Sequence, residues 1–296
     1  MKQRSALLFM LLYSFTQVRA QEMHPKNNPY KFYLGIEGGY AFKLAGGYVG
    51  HFSNSGSLLS ATHTPGFTLG RGVCGGMNMG YILTKHICIE FGASYLISSN
   101  YDWNNSYPVL TWHGDMVRLV PALRFQTEEG PLLLYSRTGL SIGFPQSVQS
   151  ESIYLNNWQQ QIDQISNYSG RTSYGMQSAL GVSYHMAHRM NIFLEFCVTM
   201  QTWDPASMEY TKYTNNGVNM LPGMTVSQIQ TVYVANYNGH INYLHGYQPG
   251  FPPNAPTPEP LISIPFSSAG ITIGIQFPFG KHFITGKARY DLTTVN

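Results

Sequence analysis

Apolar and polar residues alternate along this chain from residue 30 to residue 279. The clearest case is the stretch 77–97, MNMGYILTKHICIEFGASYLI, in which every odd position from Ile87 to Ile97 is apolar. The odd positions before the Thr84–His86 break are apolar as well. A period of two predicts strands, and a tight break between two strands predicts an antiparallel hairpin. Each of these strands has the roughly 9–11 residues that a tilted strand needs to cross a bilayer.

The same alternation predicts eight strands in all. They cover residues 30–44, 66–83, 87–101, 115–126, 132–144, 172–186, 191–203 and 268–279. The connections 84–86, 127–131 and 187–190 are short, whereas 45–65, 102–113, 145–171 and 204–267 are long. Long and short connections follow each other strictly, so an up-and-down barrel would have all long loops at one end and all short turns at the other. The predicted fold is all-β, an eight-stranded antiparallel up-and-down barrel.

The distribution of charge along the strands is inside-out for a soluble barrel. Six charged residues lie on the less apolar strand faces: Glu37, Glu90, Arg118, Arg124, Arg137 and Glu195. The interior of an eight-stranded barrel is just wide enough for side chains, so opposite charges that face inward can pair there. The apolar faces then point to lipid, which predicts a transmembrane barrel with long extracellular loops. Aromatic residues near the strand ends suit its two interfacial girdles: Tyr40, Phe42, Tyr81, Tyr95, Phe125, Tyr184 and Phe279.

The first twenty residues have the features of a secretory signal peptide. Lys2 and Arg4 precede an apolar core at 6–15, and 18–20 fits a small-residue cleavage site. The chain has 17 basic and 14 acidic residues, and Lys2, Arg4 and Arg19 account for the difference. The mature chain is therefore formally neutral, which argues against a nucleic-acid partner. Charged residues make up only 10% of the chain, against about 25% in an ordinary soluble domain.

The hairpin LTKHICIEFGASY and the late strand AGITIGIQFPFG resemble those of small outer-membrane β-barrels of the OmpA- and OmpX-like class. The resemblance covers residues 30–279 as a pattern. It implies export to the bacterial outer membrane and contact with outer-membrane lipid and lipopolysaccharide. Residues 1–20 are then the signal peptide, 21–279 the barrel with 204–267 as a long extracellular loop, and 280–296 a periplasmic tail. A peptidoglycan-binding domain, and with it the cell-wall tether of the OmpA family, is not expected.

The connection 204–267 is too long for an ordinary loop and calls for structure of its own. Residues 225–244 predict a hairpin around Asn238-Gly239. Residues 248–265 contain seven prolines, which predict an extended segment outside any sheet interior. The alternative is a ten-stranded barrel that uses residues 225–236 and 240–247 as two further strands.

Two interpretations of the inward charges remain open. They form either a structural plug of ion pairs or the lining of a small porin. Isolated charges in so narrow an interior would cost much free energy, so pairing, and with it the plug, is favoured.

An enzymatic role has little support in the sequence. Some small outer-membrane barrels modify lipid A with His and Ser, and here Ser183 and His185 share a strand face, but nothing in the sequence shows a nucleophile held by a base. The histidines of the long connections have no third ligand, so neither a metal nor a cofactor is expected. Cys74, Cys88 and Cys197 are predicted to be small fillers on the inner faces. The prediction is a protein without enzymatic activity, and a lipid A-modifying enzyme remains an alternative.

Aromatic residues of the long loops form a candidate binding surface. They are Trp103, Tyr107, Trp112, Tyr154 and Trp158. Exposed aromatic residues among Asn, Gln and Ser are typical of adaptable binding surfaces, which here could bind glycan, lipopolysaccharide or an envelope protein. The alternative is that these loops pack against each other. The expected role is structural or interaction-based: surface contact, or an accessory subunit of an envelope complex.

Overall fold

The computed structural model of the protein describes residues 30–44, 67–104, 109–127, 132–156, 159–186, 190–234 and 252–281. The predicted signal peptide and residues 282–296 of the predicted tail lie outside these ranges. No helix in the described part of the chain is long and apolar enough to cross a membrane.

The described residues form fifteen strands and two short helical turns. The strands are β1 (Tyr30–Lys43), β2 (Gly72–Ile82), β3 (Ile87–Ser98), β4 (Tyr101–Asn104), β5 (Val109–Gln126), β6 (Leu132–Leu155), β7 (Gln161–Gly170), β8 (Ser173–His185), β9 (Asn191–Trp203), β10 (Pro205–Asn215), β11 (Val218–Asn219), β12 (Gln230–Val234), β13 (Thr257–Pro260), β14 (Ile264–Pro265) and β15 (Ser268–Lys281). A 3₁₀ turn covers Leu221–Gly223, and a single α-helical turn, α1, covers Val226–Ile229.

Eight of these strands close into one antiparallel barrel. Going round the barrel, the order is β1, β2, β3, β5, β6, β8, β9 and β15, and β15 pairs with β1 to complete the ring. The eight predicted strands are the eight strands of the barrel, so the predicted fold class is confirmed. β12, which falls within the first extra strand of the ten-stranded alternative (225–236), lies outside the ring, and the second extra strand, 240–247, lies outside the described residues.

The barrel has apolar residues outside and charged residues inside, as the alternation predicts. On β3, Ile89 and Phe91 are exposed on the outer wall, and Glu90 between them is buried in the lumen. The exposed residues continue round the barrel as an apolar band, which includes Ile36, Met77, Met79, Leu123, Leu134, Leu140, Met176, Leu180, Leu194, Met200, Ile271 and Ile273. At the short-turn end of the barrel, the ring centroid of Phe32 lies 4.9 Å from that of Tyr81 and 5.7 Å from that of Phe279.

Strands β5 and β6 continue beyond the barrel at the long-loop end, where further strands join the same sheet. Asp115 pairs with Ser147 and Met116 with Pro145, so Gln146 forms a bulge that shifts the register of the two strands. Beyond this bulge the buried positions of β6 change from odd to even. The outer part of β6 pairs with β7, and β7 pairs with β10. The predicted loops 102–113 and 145–171 are thus largely strand.

The rest of this outer sheet comes from the long connection 204–267. We use the name outer sheet for β4, β7, β10, β12, β13 and the outer parts of β5 and β6. β12 lies antiparallel to β10 and parallel to β13, which is the outermost strand. Pro258 and Pro260 of β13 occupy a sheet edge, where proline is tolerated. The predicted turn at Asn238-Gly239 lies outside the described residues.

Candidate functional site: the barrel lumen and its apolar cap

A cluster of paired charges crosses the lumen. Arg137 on β6 donates from Nη1 to Glu90 Oε1 at 2.6 Å and from Nη2 to Glu195 Oε1 at 2.5 Å. Arg124 on β5 lies with its Nη1 3.6 Å from Glu90 Oε2. These four side chains are at most 5% exposed. Two arginines and two glutamates balance each other, so the cluster is formally neutral and avoids an uncompensated buried charge.

Two tyrosines complete this lumenal charge cluster, which we define as Tyr33, Glu90, Arg124, Tyr135, Arg137 and Glu195. Tyr33 donates its hydroxyl proton to Glu90 Oε2 at 2.5 Å, and Tyr135 donates to Glu195 Oε2 at 3.1 Å. The guanidinium carbon of Arg124 lies 3.7 Å from the ring centroid of Tyr135, within cation–π range. Each carboxylate therefore has an arginine and a tyrosine as partners.

Glu37 and Arg118 are in the lumen but outside this cluster. Asn78 Nδ2 donates to Glu37 Oε2 at 3.2 Å. Arg118 is buried and donates from Nε to Gln201 Oε1 and from Nη2 to the carbonyl of Phe266, both at 3.0 Å. Neither residue has an ion-pair partner among the described residues. The structure thus places all six predicted residues in the lumen and joins four of them by ion pairs.

A layer of apolar side chains closes the lumen at the long-loop end. We use the name apolar cap for Phe67, Leu69, Ile264 and Phe266, which are at most 2% exposed. They pack on buried residues of the barrel strands and of the outer parts of β5 and β6: Ala41, Leu96, Trp112, Met116, Val148 and Trp203. Trp112, predicted to be part of an exposed binding surface, is instead buried, with its ring centroid 5.6 Å from that of Phe67.

The two segments of the apolar cap are tied to each other and to the barrel wall by hydrogen bonds. The Leu69 amide donates to the carbonyl of Pro265 at 2.9 Å, and the Thr68 hydroxyl donates to the carbonyl of Ser267 at 2.8 Å. The Phe266 amide donates to the carbonyl of Gln201 on β9, also at 2.9 Å. The bond from Arg118 to Phe266 joins the cap to the layer below. Sequence alternation does not reveal this cap, since its segments lie about two hundred positions apart.

The predicted loop aromatics do not come together as one surface in the described residues. Tyr107 and Trp158 lie outside those residues, and Trp103 lies on β4, where only its backbone is described. Tyr154 lies on the outer part of β6, where it is partly exposed. Instead, the tyrosines Tyr168, Tyr210 and Tyr233 are buried or half-buried in the outer sheet. Burial raises the pKa of Tyr168 to about 12.

The residues considered for an enzymatic role have separate surroundings. Ser183 is buried in the lumen, whereas His185 is exposed and its Nδ1 lies 2.7 Å from Asn191 Oδ1. No hydrogen bond joins Ser183 to His185 in the described structure. Cys74, Cys88 and Cys197 are free, Cys88 is buried, and the other two are half-buried. The described residues hold no group of three or more His, Cys, Asp or Glu side chains arranged to bind a metal ion.

Comparison with known proteins adds no relative to this picture. Neither a scan against models of protein families nor a search of curated proteins gave a match. The class of the protein therefore rests on its architecture: a closed eight-stranded antiparallel β-barrel of the type found in small outer-membrane proteins.

Proposed function

We propose that this chain is an integral protein of the bacterial outer membrane with a structural or surface-interaction role. The observation that carries this proposal is the combination of an apolar outer wall with a lumen filled by paired charges and an apolar cap. An apolar band that surrounds a barrel is the surface that lipid requires. In water such a band would far exceed the apolar patch of a typical soluble monomer.

The outer sheet is the part that this role would use. It extends from the long-loop end of the barrel, which is the extracellular end in outer-membrane barrels. Its strands carry Ser, Thr, Asn, Gln and Tyr side chains, a composition suited to adaptable contacts with other molecules. The proposed partners are outer-membrane lipid, lipopolysaccharide and an envelope protein.

The first test is membrane insertion. The mature chain, refolded in detergent, should migrate faster on a gel than the boiled sample and should float with lipid vesicles in a density gradient. In intact cells, external protease should cleave the outer sheet and leave the short turns at 84–86 and 127–131 uncut. A refolded chain that stays in the aqueous fraction would refute the proposal.

The second test concerns conduction. A lumen occupied by the charge cluster and the apolar cap should leave the inserted protein electrically silent in planar bilayers. Reproducible single-channel conductance that depends on Arg118 would replace the structural role with the small-porin alternative.

The pull-down of intact complexes from membranes, with the unrelated barrels of the same membrane as background, would identify an envelope partner.

A further inference from the structure

A cleft opens on the rim of the barrel at the long-loop end, outside the lumen and the apolar cap. It has a volume of about 340 Å³ and lies where β1 ends, β2 begins and β3 passes into β4. Its lining combines two cations with hydroxyl, amide and carboxylate groups: Lys43, Thr68, Arg71, Ser99, Asn100, Tyr101 and Asp102. The proposed role of the protein assigns no ligand to this cleft.

The side chain of Arg71 is held by its neighbours on the outer wall. Its Nε donates to the Tyr40 hydroxyl at 3.2 Å, and the same hydroxyl lies 3.4 Å from Ser99 Oγ. The backbone carbonyl of Arg71 accepts from the Ser99 amide at 2.8 Å. The two terminal nitrogens of Arg71 have no hydrogen-bond or ion-pair partner among the described residues. This geometry leaves the fork of the guanidinium available for a bidentate contact with an anion.

The cleft lies directly beyond the apolar band. Tyr40, Val73 and Ile97 form one row across β1, β2 and β3, because Val73 pairs with both of the others. Val73 and Ile97 are exposed on the outer wall. Arg71 and Ser99 each lie two residues further toward the long-loop end, on the same face as this row. The guanidinium of Arg71 therefore lies at the boundary between the apolar band of the outer wall and the polar rim of the barrel.

The charges that line the cleft leave one net positive charge. Lys43 and Arg71 are exposed cations, and Asp102 is the one acidic residue of the lining. The Asp102 carboxylate already accepts a hydrogen bond from Thr111 at 2.9 Å. It can still accept from a hydroxyl group of a ligand, and it disfavours a second anionic group on its side.

We propose that this rim cleft binds the phosphate group of an anionic membrane lipid, with Arg71 and Lys43 on the phosphate and the acyl chains along Val73 and Ile97. Tyr40 acts as a positioning residue that orients the guanidinium of Arg71. The inference rests on the proposed membrane location, because the apolar half of the site is the lipid-facing wall. A free phosphate ion shares the charge chemistry but cannot use that wall, so the two sources can be separated.

The experiment measures lipids retained by the purified, detergent-folded protein in native mass spectrometry. The probes are phosphatidic acid and the zwitterionic phosphatidylcholine with identical acyl chains, offered at equal concentration. The wild-type protein should retain phosphatidic acid preferentially, and Lys43→Gln combined with Arg71→Gln should lower its retention about tenfold, as expected for charge-assisted contacts. The matched control is Lys85→Gln combined with Arg171→Gln, which removes the same charge from exposed side chains elsewhere and should stay within about twofold of wild type.

Two further arms identify the ligand and the role of Tyr40. Inorganic phosphate at tens of millimolar should leave the bound lipid in place, since it lacks the acyl chains, and complete displacement would assign the site to free phosphate. Tyr40→Phe should lower the preference for phosphatidic acid while the retention of phosphatidylcholine stays unchanged.

The outcomes distinguish this inference from the proposed function. A protein that floats with vesicles but binds both lipids equally, or whose two double variants behave alike, would overturn the lipid site alone. A protein that fails to insert into vesicles would overturn both. Heat-dependent gel mobility confirms that each variant is folded before its lipids are measured.

Discussion

Three aromatic side chains of the lumen each lie over a glycine on the neighbouring strand. Tyr33 pairs with Gly80, Tyr135 with Gly181 and Phe193 with Gly274 in the barrel register. A Cβ atom added at Gly80 would lie 2.0 Å from Cζ of Tyr33, and one at Gly181 would lie 2.2 Å from Cζ of Tyr135. These glycines give the tyrosines the room to lie across the wall and reach the two carboxylates of the charge cluster.

The first prediction concerns Gly80. Gly80→Ala should destabilise the folded barrel by about 1–3 kcal/mol, because the added methyl group displaces Tyr33 from Glu90. The matched control is Gly75→Ala on the same strand, where the nearest atom to an added Cβ lies 3.8 Å away. Urea unfolding in lipid vesicles measures both, and equal effects of the two changes would contradict this account of the glycine.

The second prediction concerns Arg137, which bridges Glu90 and Glu195. Arg137→Met should cost about 3–5 kcal/mol of unfolding free energy, because it leaves two buried carboxylates without their main partner. The double change that adds Glu195→Gln should recover much of that loss, since it leaves Arg124 and Glu90 as a balanced pair. Arg171→Met, at an exposed site, serves as the control in the same urea titration. A double variant no more stable than Arg137→Met would show that packing, not charge, sets the cost.

At the scale of elements, the sequence predicts the barrel well and the outer sheet poorly. The barrel strands each have an apolar face on the outer wall and a more polar face in the lumen, so their alternation is strong: the predicted 191–203 is β9, and the predicted 132–144 is the barrel part of β6. Beyond Gln146 the same strand carries polar residues on both faces, with Gln149 and Glu151 on one and Ser150 and Ser152 on the other. Such a segment has no alternation to detect, so its pairing with β7 follows only from tertiary structure.

In the lumen, too, local alternation predicts which side chains face inward, but it does not predict the contacts between distant parts of the chain. That Glu90, Arg124, Arg137 and Glu195 face inward follows from the period of two. Which charges pair depends on strand order and on the register round the ring. Alternation alone therefore does not show that Arg118 and Glu37 lie outside the ion-paired cluster. The apolar cap depends on a contact between Thr68 and Ser267, which no local pattern encodes.

The third prediction concerns β13, the outer edge of the sheet. Burial raises the pKa of the Glu259 carboxyl, so the protonated form favours the docked strand. The stability that this group adds is fully present below its unfolded pKa of about 4.3 and is lost as the pH rises through the raised pKa of the folded state. Hydrogen-exchange protection of residues 252–260, corrected for intrinsic rates, should therefore be higher at pH 4 than at pH 7.

Two variants test whether Glu259 is the group responsible. Glu259→Gln should remove the pH dependence and raise the protection of β13 at pH 7. Glu151→Gln makes the same change at an exposed position of the outer sheet and should retain the wild-type difference. A pH dependence that survives Glu259→Gln would assign it to another group.

At the scale of the whole molecule, the lumen and the outer wall of the barrel are stabilised in different ways. The charge cluster and the apolar cap fill the lumen with one polar and one apolar layer. The stability of the outer wall depends instead on the medium that surrounds it. A chain in which only 10% of the residues are charged can remain dispersed only if that wall is covered. We propose that lipid covers the wall. In lipid, the free-energy cost of a charged side chain on the wall depends on its depth in the bilayer.

The last prediction measures that depth dependence directly. Met77 is exposed at the middle of β2, and Phe42 is exposed one residue before the end of β1. In vesicles, Met77→Arg should cost about 2–4 kcal/mol because it places a cation near the bilayer centre, whereas Phe42→Arg at the rim should cost about 0–1 kcal/mol. If the wall were in contact with water, an arginine at either exposed position would change stability by only about 0.5 kcal/mol. Urea unfolding of the two variants therefore distinguishes a lipid-facing wall from a solvated one, since only lipid makes the central position the costlier of the two.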